Sequence, residues 1–117
     1  CHINCRDAGI RLQNRKFFQI VNNLMYNDDF RSAAPGYVDI ELTHCFGGII
    51  TDNIFHQPGN ERRTNIRIDA STYDLRITSN YFNAKGEAVS IEPGAHDVTV
   101  RDNRFTDQVT GGKMTTE

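Results

Sequence analysis

Ile77-Thr78-Ser79-Asn80-Tyr81-Phe82 decides how this chain folds: an aliphatic residue, an Asn three positions on, and a large apolar residue two further. The phrase returns as Ile20/Asn23/Met25, Ile50/Asn53/Phe55 and Val100/Asn103/Phe105, so the Asn positions step by 30, 27 and 23 residues. A drifting period of this size, with strand-like alternation inside each copy, marks stacked supersecondary units that cannot bury their apolar faces singly.

Upstream of each phrase lies an apolar pair at strand spacing: Ile10/Leu12, Ile40/Leu42, Ile66/Ile68 and Val89/Ile91. From the second member of the pair to the aliphatic residue of the phrase the distances are 8, 8, 9 and 9 residues. Each unit is therefore two short strands around a tight corner, with Phe18/Ile20, Gly48/Ile50, Leu75/Ile77 and Val98/Val100 inward on the second strand. An Asn at the next bend, an inward ring and a loop of variable length complete one turn of a parallel β-solenoid. Stacked turns place equivalent residues about 4.8 Å apart. The Asn set then forms an amide ladder at a bend, where Asn also tolerates left-handed backbone angles. Met25, Phe55, Phe82 and Phe105 form an internal stack. Phe17 to Met25 also fits a helical period, but Asn22-Asn23 and the alignment with the other copies assign it to strand. The expected architecture is all-β, a solenoid of four to five coils over residues 1–105, with 106–117 as a cap or frayed tail.

Bulk properties narrow the partners. At 117 residues the chain suffices for one domain. A net charge of −2, with no basic cluster beyond Arg62-Arg63, gives no support for nucleic-acid binding. No apolar run approaches the roughly 18 residues of a helical membrane span. The chain opens at Cys1 directly on a strand-like stretch, which reads as a piece cut from a longer protein. Cys1, Cys5 and Cys45 fit neither an even disulfide framework nor a metal pattern and read as reduced, apolar side chains.

Four copies of [Ile/Val]-x-x-Asn-x-[Phe/Met], each preceded by an Ile-x-[Ile/Leu]-like strand, resemble the right-handed parallel β-helix family, which includes pectate-lyase-like proteins, alginate-modifying enzymes and phage tailspikes. The resemblance spans roughly Ile3 to Phe105. It implies an extracellular or virion-surface protein that recognises or degrades polysaccharide, while a non-catalytic adhesive shaft is the competing expectation. The irregular coil lengths resemble a tailspike more than a strictly periodic solenoid. A short stack with exposed ends is expected to oligomerise, as a trimer by the tailspike resemblance.

Chemistry is sought on the outward columns. One is Arg11, Glu41, Arg67, Ser90; the next is Gln13, Thr43, Asp69, Glu92. Glu41, Asp69 and Glu92 on neighbouring coils are candidate catalytic acids, because glycoside hydrolysis needs one carboxyl kept protonated and another ionised, and like charge would raise one pKa. Arg67 is the candidate substrate anchor, and Tyr37 and Tyr73 are candidate sugar-binding rings, with Tyr26 and Tyr81 as further phenols. The alternative is an ordinary charged sheet surface with arginine–carboxylate pairs. His2, His44, His56 and His96 have no zinc spacing, Asp28-Asp29 on the 26–39 loop falls short of a calcium site, and no cofactor is implied. Ile49 and Val21 are the outward apolar residues available for a subunit contact.

Overall fold

Fourteen strands follow one another with no helix among the described residues, which in this computed structural model are 2–4, 8–26, 38–57, 63–84, 86–106 and 109–111. They sort into three all-parallel sheets. The first contains β1 (His2–Asn4), β4 (Leu24–Tyr26), β7 (Ile54–Gln57), β10 (Tyr81–Ala84) and β13 (Arg104–Phe105), in that spatial order. The second contains β2 (Ala8–Gln13), β5 (Val38–Thr43), β8 (Arg63–Ile68), β11 (Gly86–Ile91) and β14 (Val109–Gly111). The third contains β3 (Gln19–Val21), β6 (Phe46–Thr51), β9 (Tyr73–Thr78) and β12 (His96–Arg101). The chain passes through second, third and first sheet in turn and then steps up one coil. The solenoid is as expected. Each coil, however, has three strands rather than two, because the segment carrying the inward ring is itself paired, as in Phe55 with Phe82 and Phe82 with Phe105. β14 adds a further strand beyond Phe105.

Registers align the phrases column by column: Ile20 pairs with Ile50 and Ile50 with Ile77, while Ile10, Ile40, Ile66 and Val89 pair in sequence on the second sheet. These residues and Met25, Phe55 and Phe82 form one core, most of them fully buried. The rings of Phe55, Phe82 and Phe105 stack at 4.8 and 5.4 Å between centroids, nearly parallel. Gly48 occupies an inward slot that is Leu75 and Val98 on later coils, because the ring of Phe18 already fills it. A Cβ on Gly48 would lie 2.1 Å from that ring.

The bend between third and first sheets is the same two residues in every coil: Asn22-Asn23, Asp52-Asn53, Ser79-Asn80 and Asp102-Asn103. The left-handed residue is the first of each pair, with φ of 57 to 61°. The conserved geometry thus places the strained angle on the neighbour of the ladder Asn, contrary to the expectation that the ladder residue itself would carry it. That frees each ladder side chain to point inward. Asn53 donates through its backbone N–H and Nδ2 to Asn80 Oδ1, both at 3.0 Å, and Asn80 does the same to Asn103 Oδ1 at 2.9 and 3.1 Å. The second Nδ2 proton reaches the carbonyl of the coil below, Ile20 from Asn53 and Ile50 from Asn80. Every polar atom of these two buried amides is paired, which removes the cost of burying them.

Candidate functional site

Of the three acids read from the sequence, Glu41 lies on the outer face of the second sheet while Asp69 and Glu92 fall just past its strands, and the structure shows what each carboxylate holds. Glu41 stands in register between Arg11 and Arg67. Its Oε1 lies 2.9 Å from Arg11 Nε and its Oε2 3.7 Å from an Arg67 guanidinium nitrogen. Arg67, the expected substrate anchor, therefore faces a carboxylate of its own chain.

Asp69 and Glu92 sit at the corner between second and third sheets and act as backbone acceptors. In the first coil Asn14 N–H donates to the carbonyl of Thr43 in the ordinary ladder manner. One coil on, His44 N–H donates instead to Asp69 Oδ1 at 3.1 Å, and on the next Ala70 N–H donates to Glu92 Oε2 at 3.3 Å. Each carboxylate thus takes an N–H from the coil below it. Asp69 also accepts from Ser71 Oγ at 2.8 Å and Thr72 Oγ1 at 2.7 Å, and Thr72 Oγ1 in turn accepts from Cys45 N–H. Burial pushes the Asp69 carboxyl up, but the hydrogen bonds from Thr72, Ser71 and the backbone of His44 and Ser71 outweigh it and hold the pKa below the ordinary value. The expectation that like charge would raise a pKa in this cluster is thereby corrected at Asp69, which stays ionised.

Tyr73 lies at the same corner inside a second, external ring column. Its ring stacks on Phe46 at 5.0 Å on one side and on His96 at 5.1 Å on the other, within 5° of parallel. Both faces are covered, so the expected stacking of a sugar on Tyr73 has no free surface. His96 is part of this stack rather than a partner for His44. Tyr37 lies outside the described residues, as do Asp28, Asp29, Cys1 and Cys5. Tyr81 is outward and half-buried, with the Arg104 guanidinium 5.9 Å over its ring. Cys45 is a free, fully buried thiol that packs as a small apolar residue.

What sequence reading missed is on the third sheet. The column at the start of its strands runs Phe17, Gly47, Asp74, Asp97, all left-handed with φ of 55 to 71°. Gly and Asp adopt that conformation readily, but for Phe it costs about 1–2 kcal/mol. The ring gains little burial in return. Phe17 is 74% exposed, with one ring edge against Gly47 and its plane at 79° to that of Phe46. Later coils of the same face carry a shallow trough of about 300 Å³ lined by Arg76, Thr78, Ser79, Thr99, Arg101 and Asp102. An adjoining depression reaches Asp74 and Asp97. The signal available in the sequence was the mismatch of a Phe with Gly, Asp and Asp at equivalent positions, visible only once the corner is aligned.

The profile described as a right-handed beta helix region matches residues 1–116. The chain belongs to the right-handed β-helix family. No curated protein and no solved structure matches it. Right-handed β-helix regions occur in polysaccharide-acting and in structural proteins, so membership fixes the coil and leaves the choice between those uses to the surfaces of this one.

Proposed function

We propose that this β-helix is a segment of an extracellular or virion-surface protein that recognises polysaccharide, and that the coils described bind the glycan without cleaving it. The observation that supports this reading is the register of outward hydrogen-bonding side chains across successive coils of the third sheet, Thr51–Thr78–Arg101 with Arg76–Thr99 beside it. A surface repeating at about 4.8 Å suits an extended polymer with hydroxyls along its length. Binding is favoured over cleavage because the candidate acids are committed: Glu41 to two arginines, Asp69 and Glu92 to backbone N–H groups of neighbouring coils. A tailspike-like or pectate-lyase-like parent, assembled as a trimer, is the specific form of this proposal.

The shaft reading is favoured by one observation of its own. The outer face of the first sheet carries Leu24, Ile54 and Tyr81 in one column, with Ile54 44% exposed, and that column adds to Ile49 and Val21 an apolar surface for a subunit contact. Incubating the intact protein with capsular polysaccharide or lipopolysaccharide tests both. Retention of glycan without new reducing ends or unsaturated uronate absorbance is the expected result. Release of either product would overturn the non-catalytic reading, and absence of any glycan retention would leave the shaft.

A further inference from the structure

We infer that the glycan lies on the outer face of the third sheet, crossing the coils obliquely from Phe17 toward Arg101, and that it is a neutral, hexose-rich oligosaccharide. This rests on the polysaccharide reading and adds the face, the direction and the ligand class.

Phe17 is the starting point. Three of the four coils place Gly or Asp at this left-handed position, and the fourth places a residue that is strained there and leaves its ring in solvent. Strain without burial is not what folding alone selects. An exposed phenyl ring that rests one edge against Gly47 offers the apolar surface against which the C–H face of a pyranose packs. Tyr73 cannot provide this, since Phe46 and His96 cover both its faces.

The polar half follows on the same face. Arg76 stands two coils from Phe17, about 10 Å along the axis, and two residues along the strand, and Arg101 one coil and two residues further. Between them Thr78 and Thr99 offer hydroxyls that both donate and accept. Guanidinium forks donate in pairs and suit vicinal hydroxyls. The acceptors are Asp74, Asp97 and Asp102, with Asp102 3.9 Å from Arg101 Nε and Asp97 3.9 Å from His96 Nε2, so around the trough itself three carboxylates outnumber two guanidiniums. That balance repels a polyanionic glycan and supplies acceptors for sugar hydroxyls, which selects a neutral chain. The apolar end, Phe17 with the half-buried Val21 and Ile49, is one ring wide, far below what a protein partner needs to bury.

The intact protein is titrated with gluco-, manno- and galacto-hexasaccharides and with polygalacturonate, in the wild type, Phe17→Gly and Arg76→Ala. One neutral series is expected to bind, with Kd raised at least tenfold in each variant and polygalacturonate weaker than that series. Phe17→Gly is also expected to keep or raise the urea midpoint, because glycine relieves the left-handed backbone; a lowered midpoint would make the ring structural and overturn its role. Neutral-glycan binding unchanged in Arg76→Ala and Phe17→Gly would move the site off this face while leaving the polysaccharide reading intact. Preference for polygalacturonate would overturn the ligand class. Failure of the wild type to bind any of the four probes would overturn the inference, and the reading beneath it falls only if capsular polysaccharide and lipopolysaccharide are not retained either.

Discussion

Two corners of the same coil solve one problem differently. Between third and first sheets the bend has two residues in every coil, so identical amides fall above one another and satisfy each other in a ladder from Asn23 to Asn103. Between second and third sheets the corner changes length: two residues separate β5 from β6, four separate β8 from β9 and four separate β11 from β12. Unequal corners cannot stack like on like. There the backbone N–H of one coil is caught by a carboxylate of the next, Asp69 for His44 and Glu92 for Ala70. A bend of constant length lets one residue type repeat as its own partner. The other corner carries different residues in each coil, and there an ionised acid on the outside serves as acceptor at little desolvation cost.

The comparison breaks most readily at the ladder. Asn80→Ala removes the acceptor of Asn53 N–H and Nδ2 and the donors to Ile50 and Asn103, at about 1–3 kcal/mol for each buried group left unpaired. A total loss of about 3–5 kcal/mol is expected in urea unfolding. Asn23→Ala, at the first rung, removes the Nδ2 donor to Asn53 Oδ1, which Asn23 N–H continues to satisfy, and a part-buried 3.3 Å bond to the Val21 carbonyl, and about 1 kcal/mol is expected. Equal costs at the two positions would show that the ladder does not act as a chain of mutual partners.

The carboxylate corner should yield less, and with a pH signature. Asp69 has a folded pKa below its unfolded value of about 3.9. Its contribution is therefore fully present above that value and is lost as the pH falls through the lower folded pKa. Asp69→Asn is expected to cost about 1 kcal/mol at neutral pH, the bonds being partly exposed. The gap between the urea midpoints of wild type and variant should narrow on acidification below about pH 4. A gap independent of pH would mean the charge is immaterial and any acceptor serves.

The smallest effect belongs to Glu41. It is an exposed-row carboxylate between two arginines, a geometry worth about 0–1 kcal/mol. Glu41→Gln is expected to leave stability within about 0.5 kcal/mol and glycan binding unchanged. A loss of glycan cleavage in the intact protein on this substitution would restore Glu41 as a catalytic acid and overturn the structural assignment of the row.

The outward columns were legible because strand parity is strict: Arg11, Glu41, Arg67 and Ser90 fall in register as their spacing from Leu12, Leu42, Ile68 and Ile91 requires. The third strand of each coil was not, since β13 has only two residues and β4 three, too short for alternation to register. The roles of Asp69 and Glu92 were hidden for another reason. A carboxylate beside a corner looks the same in sequence whether it faces a substrate or a backbone N–H, and only the position of the neighbouring coil distinguishes them.

The amino-acid sequence alone determined the solenoid, its inward columns and the Asn ladder, because repeated spacing fixes which residues must share a face and stacks each repeated amide on its own copies. Tertiary structure decided the rest: which acids were consumed at corners, that Tyr73 has both faces covered, and that Phe17 stands strained and open beside an Arg and Thr trough. Those outcomes depend on contacts between residues about 25 positions apart, set by the length of each corner, and strand periodicity carries no record of them.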